Sequence, residues 1–154
     1  MTPVHIHLML NHLPVFASAI ALLLLGYALA REHESYKKLA YVILIAAGLA
    51  TPMVFLSGER SEEKVEDIAG VSKHALHEHE EAGEAALAVM LTLGAAALLQ
   101  LLLYAFPNLA RLRGKTAFAI LLGSALALGW AAWTAKLGGQ IRHAEEMGGS
   151  AAED

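Results

Sequence analysis

Four long stretches without a charged side chain are the feature that most restricts the fold of this chain. Each has about the length, roughly 17–25 residues, that a helix needs to cross the hydrocarbon core of a bilayer. Because lipid offers the backbone no hydrogen-bonding partner, each stretch must be helical, and we predict four membrane-spanning helices. The predicted spans are residues 13–30, 39–56, 85–106 and 116–135.

The composition supports a membrane protein. Hydrophobic residues make up 56% of the 154 residues and charged residues 17%, with a mean hydropathy of +0.50. A soluble domain carries about 45–50% apolar and about 25% charged residues. The absence of cysteine excludes a disulfide scaffold and a cysteine-ligated zinc site. A net charge of -4 argues against nucleic acid as a partner, so we expect one integral domain, residues 1–154, surrounded by the lipid bilayer.

The positions of the basic residues predict the orientation of the spans. Short connections rich in Lys and Arg remain in the cytoplasm, whereas the connection at residues 57–83 is acidic. Six bases lie in the other two connections, namely Arg31, Lys37, Lys38, Arg111, Arg113 and Lys115. We therefore predict an all-α, up-down-up-down four-helix transmembrane bundle, N-out and C-out. The outer side then has a polar loop at 57–83 and a short polar tail at 136–154.

Seven of the eight histidines fall on the predicted outer side, and only His33 falls in a cytoplasmic connection. His12 lies at the edge of the first span, where an ionisable side chain is by default a candidate for a functional role. If the first helix is continuous, His5, Met9 and His12 share one face and His7 points elsewhere. The sequence has no obvious internal repeat.

Two polar residues predict local structure near the third span. Ser72 is a suitable cap for a helix that begins at Lys73 and continues into the membrane. Gln100, an amide within the span, is expected to hydrogen-bond a neighbouring helix, because lipid supplies no partner.

Four short motifs stand at helix ends in a recognisable order: Asn11-His12-Leu13-Pro14, Ser57-Gly58-Glu59, His79-Glu80 and Gly138-Gly139-Gln140-Ile141-Arg142-His143. With them, the chain resembles a family of bacterial four-helix membrane proteins described as a domain of unknown function. That family usually has Thr where this chain has Ser57, so the hydroxyl is kept. Some similar members are joined to cytochrome-type domains. The resemblance therefore implies the bacterial inner membrane, redox work, and cytochromes or other redox membrane proteins as partners.

The matched polar residues come from all four helices and are predicted to meet at the outer, periplasmic or extracellular, end. Helix bundles build metal and cofactor sites from side chains on facing helices. Imidazole together with carboxylate suits zinc, iron or copper better than magnesium. The predicted metal ligands are His7, His12, Glu59, His79, Glu80 and His143.

Two other functions stay open. A b-type haem needs only two facing histidines, such as His12 and His79, and would make the chain an electron-transfer subunit. A structural or accessory subunit would hold no cofactor, and a transporter of this size would need to form a homo-oligomer. The sequence names no substrate, so it leaves open whether the chain is an enzyme.

Overall fold

The computed structural model describes residues 3–65 and 72–142, and within these ranges the chain is almost entirely helical. The five α-helices are α1 (Pro3–Leu10), α2 (Leu13–Ala30), α3 (Glu34–Val65), α4 (Lys73–Leu102) and α5 (Ala110–Arg142). Two single-turn 3-10 helices, Leu103–Ala105 and Pro107–Leu109, connect α4 to α5.

Helices α2 to α5 form an up-down-up-down four-helix bundle in which each helix packs against two neighbours. The order around the bundle is that of the chain, and α5 closes the ring against α2, while α1 packs on α3. All four long helices are apolar and long enough to cross a membrane, which confirms the predicted fold class. Small side chains such as Ala21, Ala47, Ala97 and Ala127 fill the core, and large apolar side chains cover the outside. This distribution suits a lipid environment.

Residues 57–65 of the predicted outer loop 57–83 are helical, whereas the helix from Lys73 was predicted from the Ser72 cap. Helix α3 continues to Val65 and α4 begins at Lys73, because the polar segments are rich in residues that favour helix, such as Glu, Lys and Ala. The predicted cap is confirmed, since the Ser72 hydroxyl accepts a hydrogen bond from the Ala75 N–H at 3.3 Å. Helix α5 likewise continues into the predicted polar tail, as far as Arg142.

These polar extensions, together with α1, make one end of the bundle, which we call the histidine end. It consists of α1 and of residues 57–65, 73–84 and 136–142. The opposite end contains the connections at 31–33 and 103–109 and the adjoining helix termini, and we call it the basic end.

The first helix is not continuous, so the expectation of one face shared by His5, Met9 and His12 was wrong. Helix α1 ends at Leu10 and α2 begins at Leu13. Pro14 explains the break, because it lacks the N–H that a continuous helix would donate to the carbonyl four residues earlier. The backbone between the two helices still turns tightly, with the Asn11 N–H donating to the His7 carbonyl at 2.8 Å.

A network of side chains closes the basic end around Gln100, which is 1% exposed. Its Nε2 donates to the Arg113 carbonyl at 2.8 Å and lies 3.4 Å from the Tyr41 hydroxyl. Its Oε1 accepts from the Thr116 hydroxyl. The expectation that Gln100 bonds a neighbouring helix is confirmed, since Arg113 and Thr116 belong to α5.

Tyr104 forms the outer part of the same end. Its hydroxyl donates to the Glu34 carboxylate at 2.6 Å, and Lys37 pairs with that carboxylate at 2.7 Å. The Lys38 ammonium and the Arg113 guanidinium lie 4.6 and 4.8 Å from the centre of the Tyr104 ring. The contacts join the beginning of α3, the 3-10 helix Leu103–Ala105 and the beginning of α5.

Candidate metal centre

Two imidazoles from different parts of the chain face each other at the histidine end. The ring centres of His7, in α1, and His79, in α4, are 6.4 Å apart, and the rings are nearly perpendicular at 81°. Both side chains are partly buried. Helix α1 packs against α3, and this packing places His7 at the histidine end.

Helix α3 fixes the His7 ring. The ring Nδ1 lies 3.1 Å from the Val54 carbonyl oxygen and 3.4 Å from the Ser57 hydroxyl, which itself donates to Val54 at 2.8 Å. Gly58 lies one turn beyond that carbonyl, and a Cβ at this position would be 3.1 Å from the His7 Cε1. The ring therefore rests directly against the backbone of α3.

Helix α5 fixes the His79 ring in the same way. The ring Nδ1 lies 3.1 Å from the Thr134 carbonyl oxygen, and a Cβ on Gly138 would be 2.9 Å from the His79 Cε1. The Thr134 hydroxyl donates back to the Ala82 carbonyl of α4 at 3.3 Å, and the Trp130 indole donates to the same carbonyl at 3.0 Å. Hydrogen bonds thus run in both directions between α4 and α5 beside His79.

The hydrogen bonds to main-chain carbonyls decide which ring nitrogen is basic. A carbonyl only accepts, so Nδ1 of His7 and of His79 must carry the proton, and Nε2 of each neutral ring keeps its lone pair. Metal-ligating histidines are commonly oriented in this manner through the other ring nitrogen. Burial and the neighbouring His7 ring lower the pKa of His79, which disfavours protonation of that imidazole.

The distance between the rings lies at the upper limit for two imidazoles that share one metal ion. A ligating nitrogen lies about 2.0–2.1 Å from zinc, so two imidazoles on opposite sides of one ion have ring centres up to about 6.3 Å apart. The observed separation is 6.4 Å. A tetrahedral ion would hold the two ring centres about 5 Å apart, so the two rings must move closer together to share one zinc ion.

The other predicted ligands lie in different surroundings. His12 is exposed between α1 and α2, where its Nδ1 bonds the Asn11 side chain and its ring lies beside Phe16. Glu59 is exposed, and Glu80 pairs with His77 at 3.6 Å. His143 lies outside the described residues. Within the ranges that the structure describes, no group of three or more His, Asp or Glu could hold a metal ion.

Sequence reasoning missed the groups that hold the two rings. The Val54 and Thr134 contributions are main-chain carbonyls, which leave no mark in a side-chain pattern. Gly58 and Gly138 were part of the motifs behind the resemblance, but no role was predicted for them. One sequence pattern could have indicated the pairing of His7 with His79, since His-x-His occurs twice, at His5–His7 and at His77–His79.

Comparison with known proteins found no family model that matches the chain, no similar curated protein and no similar solved structure. The resemblance to the bacterial four-helix family stays a prediction, and the site has to be judged by its chemistry.

Proposed function

We propose that this chain is an integral membrane protein that binds one transition-metal ion between the imidazoles of His7 and His79. The observation that carries the proposal is the pair of Nδ1 contacts to main-chain carbonyls, which leaves both Nε2 atoms basic. Zinc, iron and copper are the metals that accept imidazole readily. Two imidazoles leave coordination positions for further donors, and His12, Glu59, Glu80 and His143 remain the proposed sources.

Iron or copper would link the site to electron transfer, and the resemblance to cytochrome-linked proteins supports redox membrane proteins as partners. The basic residues at the end opposite the histidines support an N-out, C-out orientation. In the inner membrane of a bacterium, the metal would then be held on the periplasmic or extracellular side.

A b-type haem is a second candidate, because the described residues hold one pair of neighbouring imidazoles from different helices. Haem iron takes two axial histidines and needs no third protein ligand. The predicted axial pair was His12 with His79, but the ring contact favours His7 with His79. In this case too the ligating atoms would be the Nε2 nitrogens.

The test is elemental analysis and an absorption spectrum of the full chain, purified from membranes in mild detergent. We expect stoichiometric metal, with a Soret band if the group is haem. His7→Ala and His79→Ala should each reduce the bound metal at least about tenfold, since each removes one of two ligands.

The controls are His74→Ala and His33→Ala. His74 is 83% exposed and pairs with Glu78, and His33 stacks on Tyr36 at the basic end, so both variants should keep the wild-type metal content. Full retention in His7→Ala would contradict the proposal. Wild-type protein free of both metal and haem would favour the accessory subunit instead.

A further inference from the structure

The first half of the bundle recurs in the second half, with one residue offset for α1 and α2 and another for α3. Adding 72 to a residue number in α1 or α2 gives a counterpart in α4, and this offset pairs His5-x-His7 with His77-x-His79. The same offset pairs four buried positions of α2 with four buried positions of α4. These pairs are Ser18 with Met90, Ala21 with Leu93, Leu25 with Ala97, and Ala28 with Gln100.

An offset of 80 relates α3 to α5 in the same way. It pairs Val54 with Thr134 and Gly58 with Gly138, which are the carbonyls and the glycines that hold the two rings. It also pairs buried positions with buried positions. These are Ala40 with Ile120, Leu44 with Ser124, Ala47 with Ala127, and Thr51 with Ala131. Of the eight additional residues, four lie in the longer connection between α4 and α5 and four in the first turn of α5.

Contacts between counterparts locate the symmetry axis. In a twofold arrangement, a residue near the axis meets its own counterpart. His7 meets His79, with ring centres 6.4 Å apart, and the Ser18 hydroxyl lies 3.5 Å from the Met90 sulfur. Two such contacts at different heights define a line that runs along the bundle between α2 and α4.

We propose that the chain is a duplicated helical hairpin with a pseudo-twofold axis, and that Gly58 and Gly138 are equivalent positioning residues for the imidazoles on this axis. The site then takes one mononuclear metal centre with two equivalent imidazole positions, and not a pair of metals. The choice of metal as the ligand rests on the proposed function. The seating of the rings, by which we mean the contact of each ring with the backbone at Gly58 or Gly138, rests on the geometry alone.

The glycines offer a sharp test with matched controls. A methyl group at 138 would lie 2.9 Å from the His79 Cε1, and one at 58 would lie 3.1 Å from the His7 Cε1, so each ring must move. Gly129 and Gly139 are in the same helix as Gly138 and have open space where a Cβ would be. The variants are Gly58→Ala and Gly138→Ala, with Gly129→Ala and Gly139→Ala as controls.

The first measurement needs no metal. Nitrogen NMR of the detergent-purified chain, labelled with ¹⁵N-histidine, reports which ring nitrogen carries the proton. We expect Gly58→Ala to change the signals of His7, Gly138→Ala to change those of His79 by a larger amount, and both controls to match the wild type. Controls that change the His79 signals as much as Gly138→Ala does would overturn the seating.

The second measurement is zinc binding by the same proteins. We expect one zinc ion per chain. Gly58→Ala and Gly138→Ala should each bind it about tenfold more weakly, because each variant displaces an imidazole. Two zinc ions per chain would overturn the single centre on the axis. Zinc bound normally by both variants would overturn the seating while leaving the proposed function intact. Altered histidine signals without any metal binding would overturn the proposed function and leave the placement of the rings by the glycines intact.

A cysteine pair tests the axis without altering the site, and serves if an alanine variant fails to fold. Mercuric ion should bridge the two thiols of Ser18→Cys/Met90→Cys, because it restores the reach that is lost when Met90 is shortened to cysteine. The control Ile20→Cys/Met90→Cys moves one cysteine to an exposed position of α2 and should not cross-link. Equal cross-linking of the two pairs would contradict the axis.

Discussion

The two ends of the bundle use polar side chains in opposite ways. At the basic end, Gln100 and Tyr104 bond other groups of the protein through their polar atoms, so the network is complete in itself. At the histidine end, His7 and His79 each use Nδ1 for a main-chain carbonyl and keep Nε2 as a basic nitrogen. We propose accordingly that the first end serves stability and that the second end binds metal.

The largest expected effect concerns metal at the histidine end. Zinc at about 100 times its Kd should raise the free energy of unfolding by about 2.7 kcal/mol, because only the folded chain brings the two imidazoles together. The increase should shrink as the pH falls, since protons compete for the ligating nitrogens. Thermal unfolding in detergent, followed by circular dichroism, measures this effect. The same increase in His79→Ala would contradict the assignment.

The next effect is a loss of stability at the basic end. Gln100→Leu keeps the approximate size of the side chain but removes its bonds to Arg113 and Thr116. We expect the free energy of unfolding to fall by about 1–2 kcal/mol, with metal binding unchanged. Thr92→Val is the control, because the exposed Thr92 hydroxyl bonds only its own helix at Ala88. A change in metal affinity in Gln100→Leu would show that the ends are not separate.

The smallest effect is expected for Tyr104→Phe. This change removes the hydrogen bond to Glu34, whose side chain is 57% exposed, and keeps the ring between its two cations. A decrease of about 0.5 kcal/mol in the free energy of unfolding is expected, because water replaces much of an exposed hydrogen bond. Chemical unfolding alongside Tyr36→Phe checks the size. A decrease as large as that of Gln100→Leu would show that Tyr104 contributes as much as Gln100 to the stability of the basic end.

Much of the fold was predictable, because lipid allows few alternatives. Uncharged stretches of sufficient length must be helices, and the Ser72 cap follows from a local rule. The break between α1 and α2 was harder to predict, since a Pro in a helix can kink it, end it or fit its first turn. At Pro14 the outcome depends on the packing of α1 against α3, which a local pattern does not contain.

The candidate site was predicted only in part. The sequence named His7 and His79 among six ligands, but their pairing depends on how α1 packs relative to α2. The repeat was missed because most counterparts differ in chemistry, as Ser18 and Met90 or Leu44 and Ser124 do. What recurs is the buried face of each helix, and this becomes visible only when the helices are packed.

The broken first helix also has a consequence for biosynthesis. His7 precedes all four spans in the chain, and its carbonyl partner at Val54 lies at the end of the second span. His79 precedes the third span, and Thr134 is near the end of the fourth. During membrane insertion all four spans must therefore be in place before both imidazoles are held, so a chain that binds metal at this site has inserted all of its helices.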